Sequence, residues 1–162
     1  IYHFRQVQAD EDGYFADLGV LYKHNSTSKI SPIFVMGDLH AGEHDDSALN
    51  AWMEICRKTN AKEIIAHDIF NGNSISHWEA EDIVTRAMRA KINELDLKSE
   101  LEVTGFVLDK IIKESKVKRI TIAKSNHDEF LIRWLKSGRF AGDPHNFQLG
   151  CVLADVAVNG ND

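Results

Sequence analysis

Three short, unbroken apolar runs constrain this chain more than any other feature: Ile33-Phe34-Val35-Met36, Ile64-Ile65-Ala66 and Ile120-Thr121-Ile122-Ala123. They are too short for helices, and only the third, with Thr121 between two isoleucines, holds a polar residue. Such runs suit strands buried on both faces. The stretches between them have helical spacing. Leu49, Trp52, Met53 and Cys56 follow the first run, and Leu101, Leu108, Ile111 and Ile112 precede the third. The order strand, helix, strand, helix, strand predicts an α/β fold, a largely parallel central sheet flanked by helices. Ligands of such sheets sit at the carboxyl ends of the strands. All three runs end in polar residues suited to metals: Asp38 and His40, His67 and Asp68, then Asn126, His127 and Asp128.

Around this frame, residues 1–22 read as an N-terminal β-hairpin. A loose first strand holds Tyr2 and Phe4, Asp10-Glu11-Asp12-Gly13 makes the turn, and Tyr14 to Tyr22 returns as one strand. Ser76 with Glu79 three residues on has the form of a capping box, which predicts a helix to about Leu95. A second helix is expected from about Leu97 to Ser115, and another through Phe130, Leu131, Trp134 and Leu135, ending near Gly138. Asp143-Pro144 has N-cap and first-turn character for a last helix, reaching about Asp155.

With 162 residues and 43% apolar content, the chain is expected to form a single domain with a sizeable core. No apolar run approaches the roughly 18 residues a membrane span needs, and no secretory signal is visible, so no membrane partner is expected. Cys56 and Cys151 lie in apolar, helical surroundings and form no CxxC pair. They read as buried free thiols of a cytosolic protein. The net charge is −6, but residues 105–140 carry nine basic and four acidic groups. Such a run is most often a solvated face, and less often one that meets phosphates.

Each polar cluster alone suits a turn or a cap. Together, at one sheet edge, they supply the carboxylate and imidazole donors that manganese, iron and zinc take. Asp-x-His in extended chain can turn both side chains to one ion. A carboxylate from the neighbouring strand has two oxygens and can bridge two ions.

Gly37-Asp38-Leu39-His40, then Asp68 after a strand, then Asn126-His127-Asp128 resembles the calcineurin-like metallophosphoesterase superfamily, whose pattern is GDxH, GD and GNH followed by Asp or Glu. The resemblance covers about residues 33–135. It implies the first half of a metallophosphoesterase-like sandwich and two divalent ions, manganese foremost, with zinc, iron or magnesium as alternatives. By the same resemblance, Asp38 and His40 hold the first ion, Asp68 bridges, and Asn126 holds the second. His127 meets the phosphate and assists the leaving group, with Asp128 orienting its imidazole. His67 and Ser125 stand where the family has glycines. The family's later GHxH motif is absent; His145 is the one histidine after His127. The remaining ligands are therefore expected beyond Asp162, in a longer catalytic domain.

The arginine that phosphoprotein phosphatases carry in GDxxDRG is missing after Asp68, and the third motif ends in Asp128, as in the nuclease branch. The resemblance extends to early nucleases with which tailed phages degrade host DNA in the host cytoplasm. The expected activity is metal-dependent hydrolysis of DNA by a hydroxide that the two ions activate. A small-molecule or nucleotide phosphoesterase and a catalytically inactive binding module are the alternatives. Lys124 and Arg133 flank the third motif and are candidate phosphate contacts. His77, in a loop expected to overhang the metals, is a further candidate. Trp78 beside it suits core packing first and base stacking second.

Overall fold

A computed structural model describes residues 6–17 and 19–160. The expected strand around Tyr2 and Phe4 lies outside these residues. In place of a two-stranded hairpin over 1–22 there is a three-stranded antiparallel sheet of β1 (Phe15–Asp17), β2 (Val20–Lys23) and β3 (Ser26–Lys29), the last of them past the expected hairpin. The turn at Asp10 is as expected: its carboxylate accepts the N–H groups of Asp12 and Tyr14. Tyr14 to Tyr22 is not one strand, however. The chain reverses at Gly19, with φ at 80°, so that Phe15 pairs with Tyr22 and their rings stack.

The three apolar runs form a separate, fully parallel sheet in the order β4 (Ile33–Met36), β5 (Glu63–Ala66), β6 (Arg119–Ile122). The register aligns Met36 with Ala66 and Ala66 with Ile122, so all three strands end at one level. Helix α1 (Asp46–Thr59) joins β4 to β5. The Asp45 carboxylate caps its start, and Asn60, with φ at 55°, ends it. Helices α2 (Ile83–Lys91) and α3 (Leu97–Ser115) join β5 to β6. Leu49, Met53 and Cys56 of α1 pack with Val107 and Ile111 of α3 over Met36, Ile64 and Ala66. Burial pushes the Cys56 thiol up to about 11. A second core joins Phe70, Ile75 and Leu97 to Phe130 and Trp134 of α4 (Phe130–Lys136), with α5 (Phe147–Asn159) against it. Buried Asn146 ties the two ends together. Its side chain accepts the N–H of Leu97 and donates to the Leu95 carbonyl.

Four local expectations are corrected. Ser76 and Glu79 do not cap a helix. Ser76 is buried at the end of a 3-10 turn (Asn73–Ile75), Glu79 pairs with Arg89, and Asp82 caps α2 instead. Asp143 does not open α5. Its carboxylate accepts the N–H groups of His145 and Asn146 in a preceding turn, and the helix starts at Phe147. Cys151 is exposed. The parallel sheet is covered on one face only among the described residues: Ile33 is 56% and Val35 64% exposed. Among these residues no helix is long and apolar enough to cross a membrane.

Candidate metal centre at the carboxyl edge of the parallel sheet

Because the strands are parallel and end in register, the loops after β4, β5 and β6 emerge side by side. Backbone bonds fasten them to one another. His67 N–H donates to the Met36 carbonyl and Ala123 N–H to that of Ala66. Beyond the strands, His40 N–H reaches the Asp68 carbonyl at 2.9 Å and Ala41 N–H that of Ile69 at 2.8 Å. Six described residues other than glycine have positive φ. Asn60, Asn93 and Lys116 follow the ends of α1, α2 and α3. The other three are Asp38 (52°), His40 (44°) and Asp68 (51°). Left-handed backbone at non-glycine residues costs energy and gathers at functional sites. Here it falls on three predicted ligands.

Asp68 is buried, with 8% of its surface exposed. One carboxylate oxygen, Oδ2, takes a 2.8 Å hydrogen bond from His67 Nδ1. Among the described residues Oδ1 has no partner, and neither does buried Nδ1 of His40. Unsatisfied buried polar atoms are rare and call for a ligand, water or strain to explain them. Burial raises the pKa of Asp68, but the His67 contact and other hydrogen bonds outweigh it and hold the carboxyl below its ordinary range. Conversely, the hydrogen bond to Asp68 raises the pKa of His67; burial opposes this, and the charges of Asp68, Asp38 and Asp128 add to it. Asp38 itself is exposed on the loop after β4, and Asn126 is exposed on the loop after β6.

His127 packs its ring 4.5 Å from that of His40, nearly perpendicular to it. Its Nδ1 lies 2.7 Å from the Asn71 carbonyl. A carbonyl only accepts, so Nδ1 carries the hydrogen and Nε2 is the nitrogen left for another partner. Asn71, not Asp128, therefore orients this imidazole. The Asp128 carboxylate is turned elsewhere. It accepts the N–H of Asp68 at 2.9 Å, those of Ile69 and Phe70 at 3.1 Å, and the Ser125 hydroxyl at 2.8 Å.

The fold thus gathers His40, Asp68, His127 and Asp128, with Asp38 close enough for its charge to act on His67. The candidates for substrate contact lie apart. Lys124 and Arg133 both pair with Glu129, so part of the basic block is neutralised locally. His77 is exposed and separated from His127 by the ring of Phe130. Two residues that departed from the family pattern prove to be structural partners of the site. The His67 ring lies over Gly37, where a Cβ would sit 2.4 Å from Nε2, so a larger residue there would push the ring away from its bond to Asp68. Ser125 anchors Asp128. The glycine at position 37 was the one visible signal for a bulky neighbour.

In chemistry, the orphaned carboxylate oxygen and imidazole nitrogen fit a divalent ion. Among the described residues, however, no three His, Cys, Asp or Glu side chains converge tightly enough to form a ready cage. Comparisons with protein-family models, curated proteins and solved structures gave no match.

Proposed function

We propose that this chain carries the first half of a metallophosphoesterase-like site and serves metal-dependent hydrolysis of phosphodiesters, with DNA as substrate. The observation that carries this reading is the coincidence of left-handed backbone at Asp38, His40 and Asp68 with unpartnered buried atoms on two of them. Asp38, His40, Asp68 and Asn126 would hold divalent ions, manganese foremost. Bound ions would supply a water of lowered pKa and neutralise charge on the phosphoryl oxygens. The chain's own residues do the rest. His127, held at Nδ1–H by the Asn71 carbonyl, presents Nε2 to the leaving oxygen and, when both ring nitrogens are protonated, gives it the Nε2 proton and is left as the neutral imidazole. Asp128 keeps the backbone of Asp68 in place. His67 restrains the Asp68 carboxylate.

The test is turnover of DNA and of a nitrophenyl phosphodiester in manganese and in chelator. Both substrates are expected to be cleaved in manganese and spared in chelator. Asp68→Asn lowers metal occupancy and turnover together. His127→Ala keeps the metal and lowers DNA turnover by roughly 10²–10⁴. Its effect is smaller on the nitrophenyl ester, whose leaving group departs without a proton. Activity that survives exhaustive chelation overturns the proposal. The lack of three converged donors favours a second reading, an inactive binding module. That reading predicts a folded protein that takes up no manganese.

A further inference from the structure

Trp78 is 73% exposed, so core packing does not explain it. Its ring lies 4.3 Å from that of His77, tilted by 34°. His77 in turn meets the edge of Phe130 at 5.2 Å, and Phe130 meets His127 at 4.7 Å. A continuous row of rings thus runs from the candidate centre to the surface and ends in an open tryptophan face. Beside this row is a cleft lined by Ile75, Ala80 and Trp134, with Arg86 and Arg139 on its wall. Both arginines are half-buried, and among the described residues neither makes an ion pair. The carboxylate in the cleft, Asp143, is committed to the N–H groups of His145 and Asn146 and to the Asn146 amide.

We propose that His77 and Trp78, together with Arg86 and Arg139 in the adjoining cleft, form a binding track for single-stranded nucleic acid, with bases stacked on Trp78 and phosphates held by the two arginines. The inference rests on the phosphodiester reading above and names the substrate form of that site. Two half-buried cations on one cleft repel each other, and an anion between them removes the repulsion. In agreement, burial and then the charge of Arg86 lower the pKa of Arg139, and the opposing charge of Asp143 offsets this only in part. Desolvation and then the charges of Arg139 and Arg133 also lower that of His77. Stacking on an exposed aromatic ring needs a base whose face is free, which a single strand offers and a duplex interior does not. Arg side chains that neutralise phosphates beside such a ring complete the usual chemistry of single-strand binding.

The experiment is titration of the protein with a short oligodeoxythymidylate, and with the corresponding oligo(dA)·oligo(dT) duplex, in chelator, so that no cleavage intervenes. Single strand is expected to bind more tightly than duplex and to quench tryptophan fluorescence. Trp78→Ala weakens single-strand binding by about 5- to 150-fold, the usual worth of one stacked base, and Trp78→Phe restores most of it. Arg86→Gln with Arg139→Gln lowers the salt slope of log K by about 1.4, and Arg86→Gln alone by about 0.7, which covers the case in which the double variant fails to fold. Unchanged affinity in Trp78→Ala, or no binding of single strand in chelator, overturns the track even if manganese-dependent ester hydrolysis is intact. Equal losses for duplex and single strand overturn it too. Single-strand binding that behaves as stated, in a protein that never hydrolyses the ester, upholds the track and overturns the catalytic reading instead.

Discussion

Asp38 sits on backbone with φ at 52°, and among the described residues its exposed carboxylate has no hydrogen bond in return. For an L-residue this conformation costs about 1–2 kcal/mol, somewhat less for Asp. Glycine removes the strain and the ligand together. Asp38→Gly is therefore expected to raise stability by up to about 1 kcal/mol, a few degrees in Tm, while weakening manganese binding. Thermal melts and a manganese titration on the same sample check both halves; a lower Tm refutes the strain argument. At this scale the sequence was informative wherever a side chain's own chemistry carried the meaning. Asp38, His40, Asp68 and His127 stood out as donors at strand ends. Ser125 did not, and His67 stood out only as a donor in its own right, because each works through a hydrogen bond to a carboxylate, Asp128 or Asp68, that sequence spacing does not display.

Among the elements, α3 was legible to its ends, since its apolar face recurs with helical spacing, and Asp96 caps it where the pattern begins. The segment before α2 was not. Ser76 and Glu79 have the local form of a cap, but Glu79 spends both oxygens on Arg89, ten residues on. A pairing across a turn outweighed a weaker local motif. This pair has a pH signature. The hydrogen bonds from Arg89 hold the Glu79 carboxyl below its ordinary 4.5, against a smaller push from burial. A depressed carboxyl stabilises the fold fully above its unfolded value, and the contribution fades as pH falls through the native one. Both side chains are partly exposed, so the amount is modest. Glu79→Gln is expected to lower stability by up to about 1 kcal/mol at neutral pH, and the gap to wild type should close below about pH 4. Urea unfolding across that range measures it; a gap that widens toward acid contradicts the assignment.

Across the whole molecule, the apolar runs announced surfaces that need cover but not which elements supply it. Helices α1 and α3 cover one face of the parallel sheet, and Ile33 and Val35 stay open on the other. The energetic contrast should be large. Ile64, fully buried, is expected to cost about 2–5 kcal/mol on change to alanine. Val35→Thr on the open face should fall within about 0.5 kcal/mol of wild type. Urea midpoints of the two variants decide, and comparable losses would mean that the second face is not open. The charge pattern shows the same limit. The basic block looked continuous along the chain, yet the fold splits it among Asp46, Asp109, Glu63 and Glu129. Finally, the Asp128 carboxylate holds three consecutive amides on the loop of another strand. Those amide hydrogens cannot exchange with solvent until Asp128 lets go. In heavy water, the protons of Asp68, Ile69 and Phe70 would therefore time the opening of the loop that follows β6, a clock on one strand's end read from its neighbour's.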